Sequence, residues 1–148
     1  MSRVGTFEIM KNSLLSIAEE MKVVLAKTAY SPLLKLAGDY SCGLFDIHGD
    51  MVDQGPDIPI HLGSMPVAVR AVVSAFTSPK PGDVYIHNDP YLGGSHLPDV
   101  NVVSPIFDHN EKLLAYACVR AHWPDIGGPK PGSYACLLYT SPSPRDRG

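Results

Sequence analysis

The chain has 148 residues, of which 45% are hydrophobic and 18% charged, a composition typical of a globular domain. Its formal net charge of −3 gives no basic footprint, so neither nucleic acid nor an anionic membrane is an expected partner. No apolar run approaches the ~20 residues of a membrane span, and the N-terminus has no apolar signal-peptide core. We therefore expect a cytoplasmic protein.

The cysteines indicate neither a disulfide framework nor a thiolate zinc site. Cys42, Cys118 and Cys136 are odd in number, scattered, and without CxxC spacing. Cys42 and Cys118 fall in strand-like runs, and we predict that they are small buried hydrophobes.

Apolar residues at alternating steps of three and four predict an amphipathic helix over residues 7–29. The stripe consists of Phe7, Met10, Leu14, Ile17, Met21 and Leu25. Pro32 ends the helix, because proline disfavours a helical conformation in the residue before it. We expect the stripe to pack into the core or against a partner helix.

A hairpin and a second helix are predicted next along the chain. Two apolar runs flank a polar, glycine-bearing turn at 46–50, in which His48 is solvated. Residues 57–63 are broken by proline and glycine and are predicted to form a loop. Ser64 is the expected N-cap, with Pro66 in the first turn, of an apolar helix that ends at Phe76.

A second hairpin is predicted after a short strand at 83–87. Residues 100–107 and 113–120 are strand-like and flank a polar turn at 108–111. His109 lies in that turn and is expected to be structural or solvated. Histidines and carboxylates concentrate at the open end of this hairpin, in the stretches HNDPYLGGSHLPD (87–99) and AHWPDIGG (121–128).

His96, Asp99 and His122 are the candidate metal ligands. His96 and Asp99 are three residues apart, and His122 lies 26 residues beyond His96. Antiparallel pairing brings the two ends of the hairpin together, so these side chains can meet at one point. Two imidazoles and a carboxylate with open positions form the ligand set of a catalytic metal site and suit zinc, manganese or iron. The alternative is a hydrogen-bonded polar corner of the domain.

Two roles stay open for each of three further polar residues. Asp89 forms an Asx-type turn or acts as a catalytic base or supporting group. His61 is a satisfied structural group or a catalytic residue, since its loop precedes a helix N-terminus where anions bind. Asp125 orients His122 or forms a turn, and Asp39 is expected to be a surface acid.

The glycines of the motif region do not form a nucleotide site. Gly93 and Gly94 allow unusual backbone angles and the close approach of a ligand, or they form a plain turn. His87 ends its strand and could face either way. Neither GxxxxGKS nor GxGxxG occurs, so ATP binding by this chain is not expected.

The last thirteen residues differ in character from the rest. CLLYTSPSPRDRG (136–148) is rich in serine, proline and arginine, has no periodicity and looks like a translated sequencing adapter. We expect residues 1–135 to be the N-terminal part of a larger domain and residues 136–148 to be a non-native tail.

Several blocks between residues 7 and 135 resemble, in the correct order, the hydantoinase B/5-oxoprolinase family, which includes the larger subunits of acetone-carboxylase-type enzymes. They are YSP (30–32), DYSC (39–42), FD (45–46), IPIHLGSM (58–65), GD (82–83), NDPYLGG (88–94), HLPD (96–99) and DIGG (125–128). The resemblance implies the start of a larger mixed α/β subunit, here an α+β arrangement of the N-terminal amphipathic helix, β-hairpins and a second helix.

The resemblance also implies a chemistry. Such a subunit acts with a hydantoinase A-type ATP-binding partner, in a hetero-oligomer, on a small-molecule substrate. Together they open cyclic amides such as hydantoin or 5-oxoproline at the cost of ATP, or they carboxylate ketones. The metal of the carboxylase-type members maps onto His96, Asp99 and His122. The family often has histidine and alanine where this chain has Trp123 and Pro124, which leaves the pocket shape and the substrate open.

Two further interpretations stay open. Two histidines and a carboxylate also form the facial triad of non-haem iron oxygenases, although the tight HxD spacing of such sites is missing here. The chain could equally be an inactive truncated fragment.

Overall fold

The computed structural model describes residues 3–55 and 57–127. The elements are α1 (Arg3–Thr28), α2 (Pro32–Lys35), β1 (Tyr40–Phe45), β2 (Met51–Gln54), α3 (Pro59–Ala75), β3 (Tyr85–His87), a 3₁₀ turn (Pro90–Leu92), β4 (Asp99–Phe107) and β5 (Leu113–His122). The predicted α+β architecture is confirmed. In the part of the chain that is described, no helix is both long and apolar enough to cross a membrane. The predicted tail, including Cys136, lies outside these residues.

The five described strands form one antiparallel sheet in the order β2-β1-β5-β4-β3. Both predicted hairpins are confirmed, as β1–β2 and β4–β5. His48 and His109 are exposed in the two hairpin turns, as expected. Strands β1 and β5 are far apart in the sequence, and their pairing places β5 at the centre of the sheet, between β1 and β4.

Helix α3 packs on one face of the sheet and encloses the core with it. The buried cluster consists of Phe45, Met65, Val69, Val72, Val103, Tyr116 and Cys118. Burying one such apolar side chain stabilises the fold by about 1.5–3 kcal/mol. Burial also raises the pKa of Cys42 and of Cys118 to about 12, so both stay thiols, and their predicted role as small buried hydrophobes is confirmed.

The predicted start of α3 was wrong. The helix begins at Pro59, with Ile58 as its N-cap, so residues 59–63 are helical and not a loop. Pro59 occupies the first turn of the helix. Backbone N–H groups in the first turn have no intrahelical acceptor, so the absence of an N–H in proline costs nothing there. Ser64 is not the N-cap but lies inside the helix, where its Oγ donates to Ile60 O at 2.9 Å. Pro66 also lies inside the helix and not in its first turn.

The N-terminal helix is confirmed, but its apolar stripe is not part of the core in the described structure. Phe7, Met10 and Ile17 are 65%, 60% and 45% exposed, and the one buried residue of α1 is Ala18. At 3.6 residues per turn, Ile17 lies about 100° around the helix from Ala18. The stripe residues Leu14, Met21 and Leu25 are half-buried, so the sheet, which α1 contacts at β1 and β2, covers the stripe only in part.

A buried ion pair fastens α1 to the sheet. Lys22 Nζ lies 2.7 Å from Asp57 Oδ1, and the Asp57 side chain is 1% exposed. The other oxygen of Asp57 accepts the backbone N–H of Cys42 at 3.0 Å. The hydrogen bond to Asp57 raises the pKa of Lys22 above its ordinary value, so the ammonium stays charged beside this carboxylate.

Candidate metal centre

One end of the central hairpin carries the candidate site. Asp99 opens β4, His122 closes β5, and the two residues are direct partners in the ladder. His96 lies in the loop before β4, where its carbonyl accepts the Asp99 N–H at 3.0 Å, so that the loop turns back towards the strand. The structure therefore brings together the three residues that the hairpin closure predicted.

Asp99 lies between the two histidines. Its Oδ2 is 3.1 Å from His96 Nδ1, and its Oδ1 is 3.3 Å from His122 Nδ1. One ligand atom from each of the three residues lies within 4.8 Å of the others. Ligand atoms about 2.1 Å from a shared metal are about 3.0–3.4 Å apart in octahedral or tetrahedral geometry. The two N–O separations, each to a different oxygen of Asp99, lie in this range.

Among the described residues, the site is exposed at His96. The His96 side chain is 52% exposed, whereas those of Asp99 and His122 are 3% and 9% exposed. A small molecule can therefore approach along the His96 side, while the other two side chains are shielded from water.

Asp99 is held in its ionised form. Burial by itself would raise its pKa, but contacts with His61 and Ser95 and the nearby His96 together lower the pKa well below its ordinary value. Ser95 Oγ donates directly to Oδ2. A carboxylate must be deprotonated to bind a metal, so this environment suits a ligand.

His61 lies in the first turn of α3, not in the predicted loop, and is 2% exposed. Its Nδ1 is 2.8 Å from Ser41 Oγ, and its Nε2 is 3.6 Å from Asp99 Oδ2. The structure thus places this predicted catalytic residue beside Asp99 and out of contact with bulk water. Because His61 is buried, we expect it to act on the site by contacting Asp99 and not by contacting a substrate directly.

Asp39 was expected to be a surface acid, and its side chain is 34% exposed, but the residue also lies next to His122. Its carbonyl accepts the N–H of His122 at 3.1 Å, and its Oδ2 lies 3.9 Å from His122 Nδ1. Asp39 directly precedes β1, and the pairing of β1 with β5 is what brings it to the site. Sequence pattern alone does not predict that pairing, since the two strands are far apart along the chain.

Asp89 and Asp125 both form local turns. Asp89 Oδ1 accepts the N–H of Tyr91 at 2.8 Å and caps the 3₁₀ turn. Asp125 Oδ1 accepts the N–H of Gly127 at 3.1 Å. Both residues are exposed, and none of the described contacts joins either carboxylate to the three candidate ligands. The Asx-turn alternative is confirmed for Asp89, and a catalytic role for it stays a prediction.

A buried arginine next to the site is absent from the sequence-based assignments. Arg120 is 0% exposed; its Nε donates to Asn101 Oδ1 at 2.8 Å, and its Nη2 donates to Gly93 O at 2.8 Å. Nη1 donates to Ser64 Oγ on α3. Burial lowers the pKa of the guanidinium from its ordinary value. The alternation of strand residues could have indicated this position, because Arg120 lies two residues before His122 and therefore on the same face of β5.

The two adjacent glycines allow backbone segments to pack closely. Gly93 has φ +95°, and a Cβ there would lie 2.4 Å from the backbone nitrogen of Ala68 in α3. A Cβ on Gly94 would lie 2.7 Å from Asp89 O. The two glycines therefore allow the loop to pack closely against α3 and against its own backbone.

His87, at the end of β3, is half-buried. Its backbone carbonyl accepts a hydrogen bond from Asn101 Nδ2 at 3.0 Å.

The chain belongs to the Hydantoinase B/oxoprolinase family, which matches residues 4–137. It is 43% identical to the 5-oxoprolinase of Saccharomyces cerevisiae over 126 residues, which are 84% of this chain and 10% of that protein. It is 41% identical to the caprolactamase subunit beta of Pseudomonas jessenii over 130 residues, which are 87% of this chain and 22% of that subunit. The family resemblance predicted from the motifs is confirmed.

Solved structures show the same fold. The ATP-dependent caprolactamase from Pseudomonas jessenii aligns with a TM-score of 0.81 and 39% identity, over 90% of this chain and 23% of that one. Acetone carboxylase in its nucleotide-free form aligns with a TM-score of 0.66 and 25% identity, over 87% of this chain and 17% of that one. The chain therefore spans between about a tenth and a quarter of the length of these relatives.

Proposed function

We propose that this chain is part of the catalytic subunit of an ATP-dependent cyclic-amide hydrolase that opens hydantoin or 5-oxoproline rings. The convergence of His96, Asp99 and His122, in a chain of this family, carries the proposal. The relatives named 5-oxoprolinase and caprolactamase support the substrate class, since 5-oxoproline and caprolactam are both cyclic amides.

The proposed metal site consists of the same three residues. Two imidazoles and a carboxylate suit Zn²⁺, Mn²⁺ or Fe²⁺, and one ligand atom from each residue lies within 4.8 Å of the others. When bound there, a divalent cation supplies Lewis acidity, which polarises a carbonyl or lowers the pKa of water.

The chain's own residues prepare the site for that ion. Asp99 is kept ionised, and Ser95 fixes the orientation of its carboxylate. His61 and Ser41 form a buried polar pair on the side of Asp99 away from solvent. Because the His96 side chain is half-exposed, it is the ligand that a small cyclic amide can approach from solvent.

ATP is proposed to enter through a partner subunit. The sequence contains no phosphate-binding loop motif, whereas the caprolactamase relative is named as ATP-dependent and as having a subunit beta. A hydantoinase A-type subunit would bind the nucleotide, so the active form is a cytoplasmic hetero-oligomer.

Ketone carboxylation is the second candidate function. The structural similarity to acetone carboxylase supports it, with a lower TM-score and a lower identity than those of caprolactamase. Both candidates use the same three ligands and a carbonyl-bearing substrate.

We expect His96→Ala, in the parent subunit reconstituted with its ATP-binding partner, to lower turnover by several orders of magnitude. The reason is that metal-assisted catalysis contributes several kcal/mol to transition-state stabilisation. The assay follows ring opening of 5-oxoproline, hydantoin and caprolactam together with ATP hydrolysis. His109→Ala, in the exposed β4–β5 turn, is the matched control and should retain full activity.

The other outcomes separate the alternatives. Carboxylation of acetone from bicarbonate, without ring opening, would favour the ketone carboxylase. Oxygen uptake that needs no ATP would favour the iron oxygenase. Turnover by the parent complex but none by the 148-residue chain would show that the chain alone is an inactive fragment. Unchanged ring opening by His96→Ala would contradict the metal site.

A further inference from the structure

The three proposed ligands are not held in the same way. Asp99 and His122 are ladder partners, so the hydrogen bonds of the sheet fix their separation. His96 lies in the loop between the 3₁₀ turn and β4, and its side chain is 52% exposed. A preorganised metal site therefore needs other contacts that fix this loop relative to the strands.

The start of the loop is held by Arg120. Its Nη2 donates to Gly93 O at 2.8 Å, and its Nε is held by Asn101 Oδ1 at 2.8 Å. The guanidinium is fully buried and also donates to Ser64 of α3. Arg120 thus connects β5, β4 and α3 to the carbonyl three residues before His96.

The end of the loop is held by Asn88. Its Nδ2 donates to Leu97 O at 3.0 Å, so the residue directly after His96 is tied back to the chain at the end of β3. Between the two anchored carbonyls, the side chains of Ser95 and His96 both reach Asp99 Oδ2.

We infer that Arg120 and Asn88 are positioning residues for His96, which hold residues 93–97 at both ends so that this ligand meets Asp99 and His122. The inference rests on the proposed metal site. Neither side chain belongs to the proposed ligand set: a guanidinium repels a cation, and the described contact of the Asn88 side chain is the donation of its Nδ2 to Leu97 O. Both act on the metal through His96.

The test measures the dissociation constant of Mn²⁺, by electron paramagnetic resonance, for the full chain and its variants. Asn88→Ala and Arg120→Lys are expected to weaken binding about 10–100-fold, as is typical of changes that release a metal ligand from its supporting contacts. Asn110→Ala, in the exposed β4–β5 turn, is the matched control and should leave binding unchanged. Asn88 makes its bond near the surface, so this variant keeps the fold even where a change at Arg120 does not.

A double-mutant cycle separates positioning from a general structural effect. In a His96→Ala background, residual binding by Asp99 and His122 is followed at millimolar metal, and adding Asn88→Ala should change it less than about threefold. Equal weakening in both backgrounds would overturn the inference, and so would unchanged binding when His96 is present.

The absorption of bound Co²⁺ gives an independent result. The Asn88→Ala spectrum should move towards that of His96→Ala, because the imidazole leaves the coordination sphere, and an identical spectrum to wild type would overturn the inference. If the unmodified chain binds neither Mn²⁺ nor Co²⁺, the proposed metal site itself fails. If it binds both and the two variants match it, only the positioning role fails.

Discussion

Replacing Gly93 by alanine is expected to lower the free energy of unfolding by about 3–5 kcal/mol, through left-handed backbone strain and overpacking together. Gly82→Ala should cost only about 1–2 kcal/mol, because it adds the strain alone. The backbone φ is +95° at Gly93 and +89° at Gly82. A Cβ on Gly93 would lie 2.4 Å from the nitrogen of Ala68, whereas a Cβ on Gly82 would meet nothing within 4 Å.

This pair of variants isolates the contact between the Gly93 loop and α3. Urea unfolding of both variants and of the unmodified chain measures the difference directly. An equal loss in the two variants would mean that φ strain alone accounts for Gly93 and that the close approach to α3 contributes nothing.

Arg120→Met is the second large effect and should also lower the free energy of unfolding by about 3–5 kcal/mol. Methionine fills much of the same volume but leaves Asn101 Oδ1 and Gly93 O without their charged donor. Losing hydrogen bonds from a charged group and leaving buried acceptors unpaired costs about 1–3 kcal/mol for each one.

Arg70→Met is the matched control for this prediction. Arg70 forms an ion pair with Asp50 at 2.8 Å, but both side chains are largely exposed, and such pairs contribute about 0–1 kcal/mol. Thermal or urea unfolding should therefore separate the two arginines clearly. Similar small losses at both positions would show that the Arg120 network does not stabilise the fold.

Local patterns predicted the part of the fold that forms the centre of the site. The β4–β5 hairpin follows from two apolar runs around one short turn, and its register pairs Asp99 with His122. Since antiparallel closure brings the ends of one hairpin together, the meeting of residues 26 apart required no knowledge of the rest of the chain.

Features that depend on contacts between residues far apart in the sequence could not be predicted from local patterns. Asp39 and Ser41 reach the site only because β1 pairs with β5, which no local pattern specifies. The sequence indicated a start of α3 near Pro66, whereas the helix starts at Pro59, and its extended first part includes Ser64, which accepts a hydrogen bond from Arg120 of β5. Tertiary packing commonly overrides such local preferences.

Burial on α1 shows a related limit of periodicity. The apolar spacing correctly predicted a helix, but the stripe is covered only in part: Leu14, Met21 and Leu25 are half-buried, whereas Phe7, Met10 and Ile17 are exposed. Periodicity determines which residues share a face, and only the arrangement of neighbouring elements determines whether that face is covered.

The most direct test of the central claim is the metal content of the full chain after equilibrium dialysis with Zn²⁺, Mn²⁺ or Fe²⁺, measured by elemental analysis. We predict about one ion per chain for the unmodified protein and for the exposed-turn variant His48→Ala, and essentially none for His122→Ala. Full retention of the ion by a stably folded His122→Ala variant, or no ion in the unmodified chain, would contradict a metal centre at His96, Asp99 and His122.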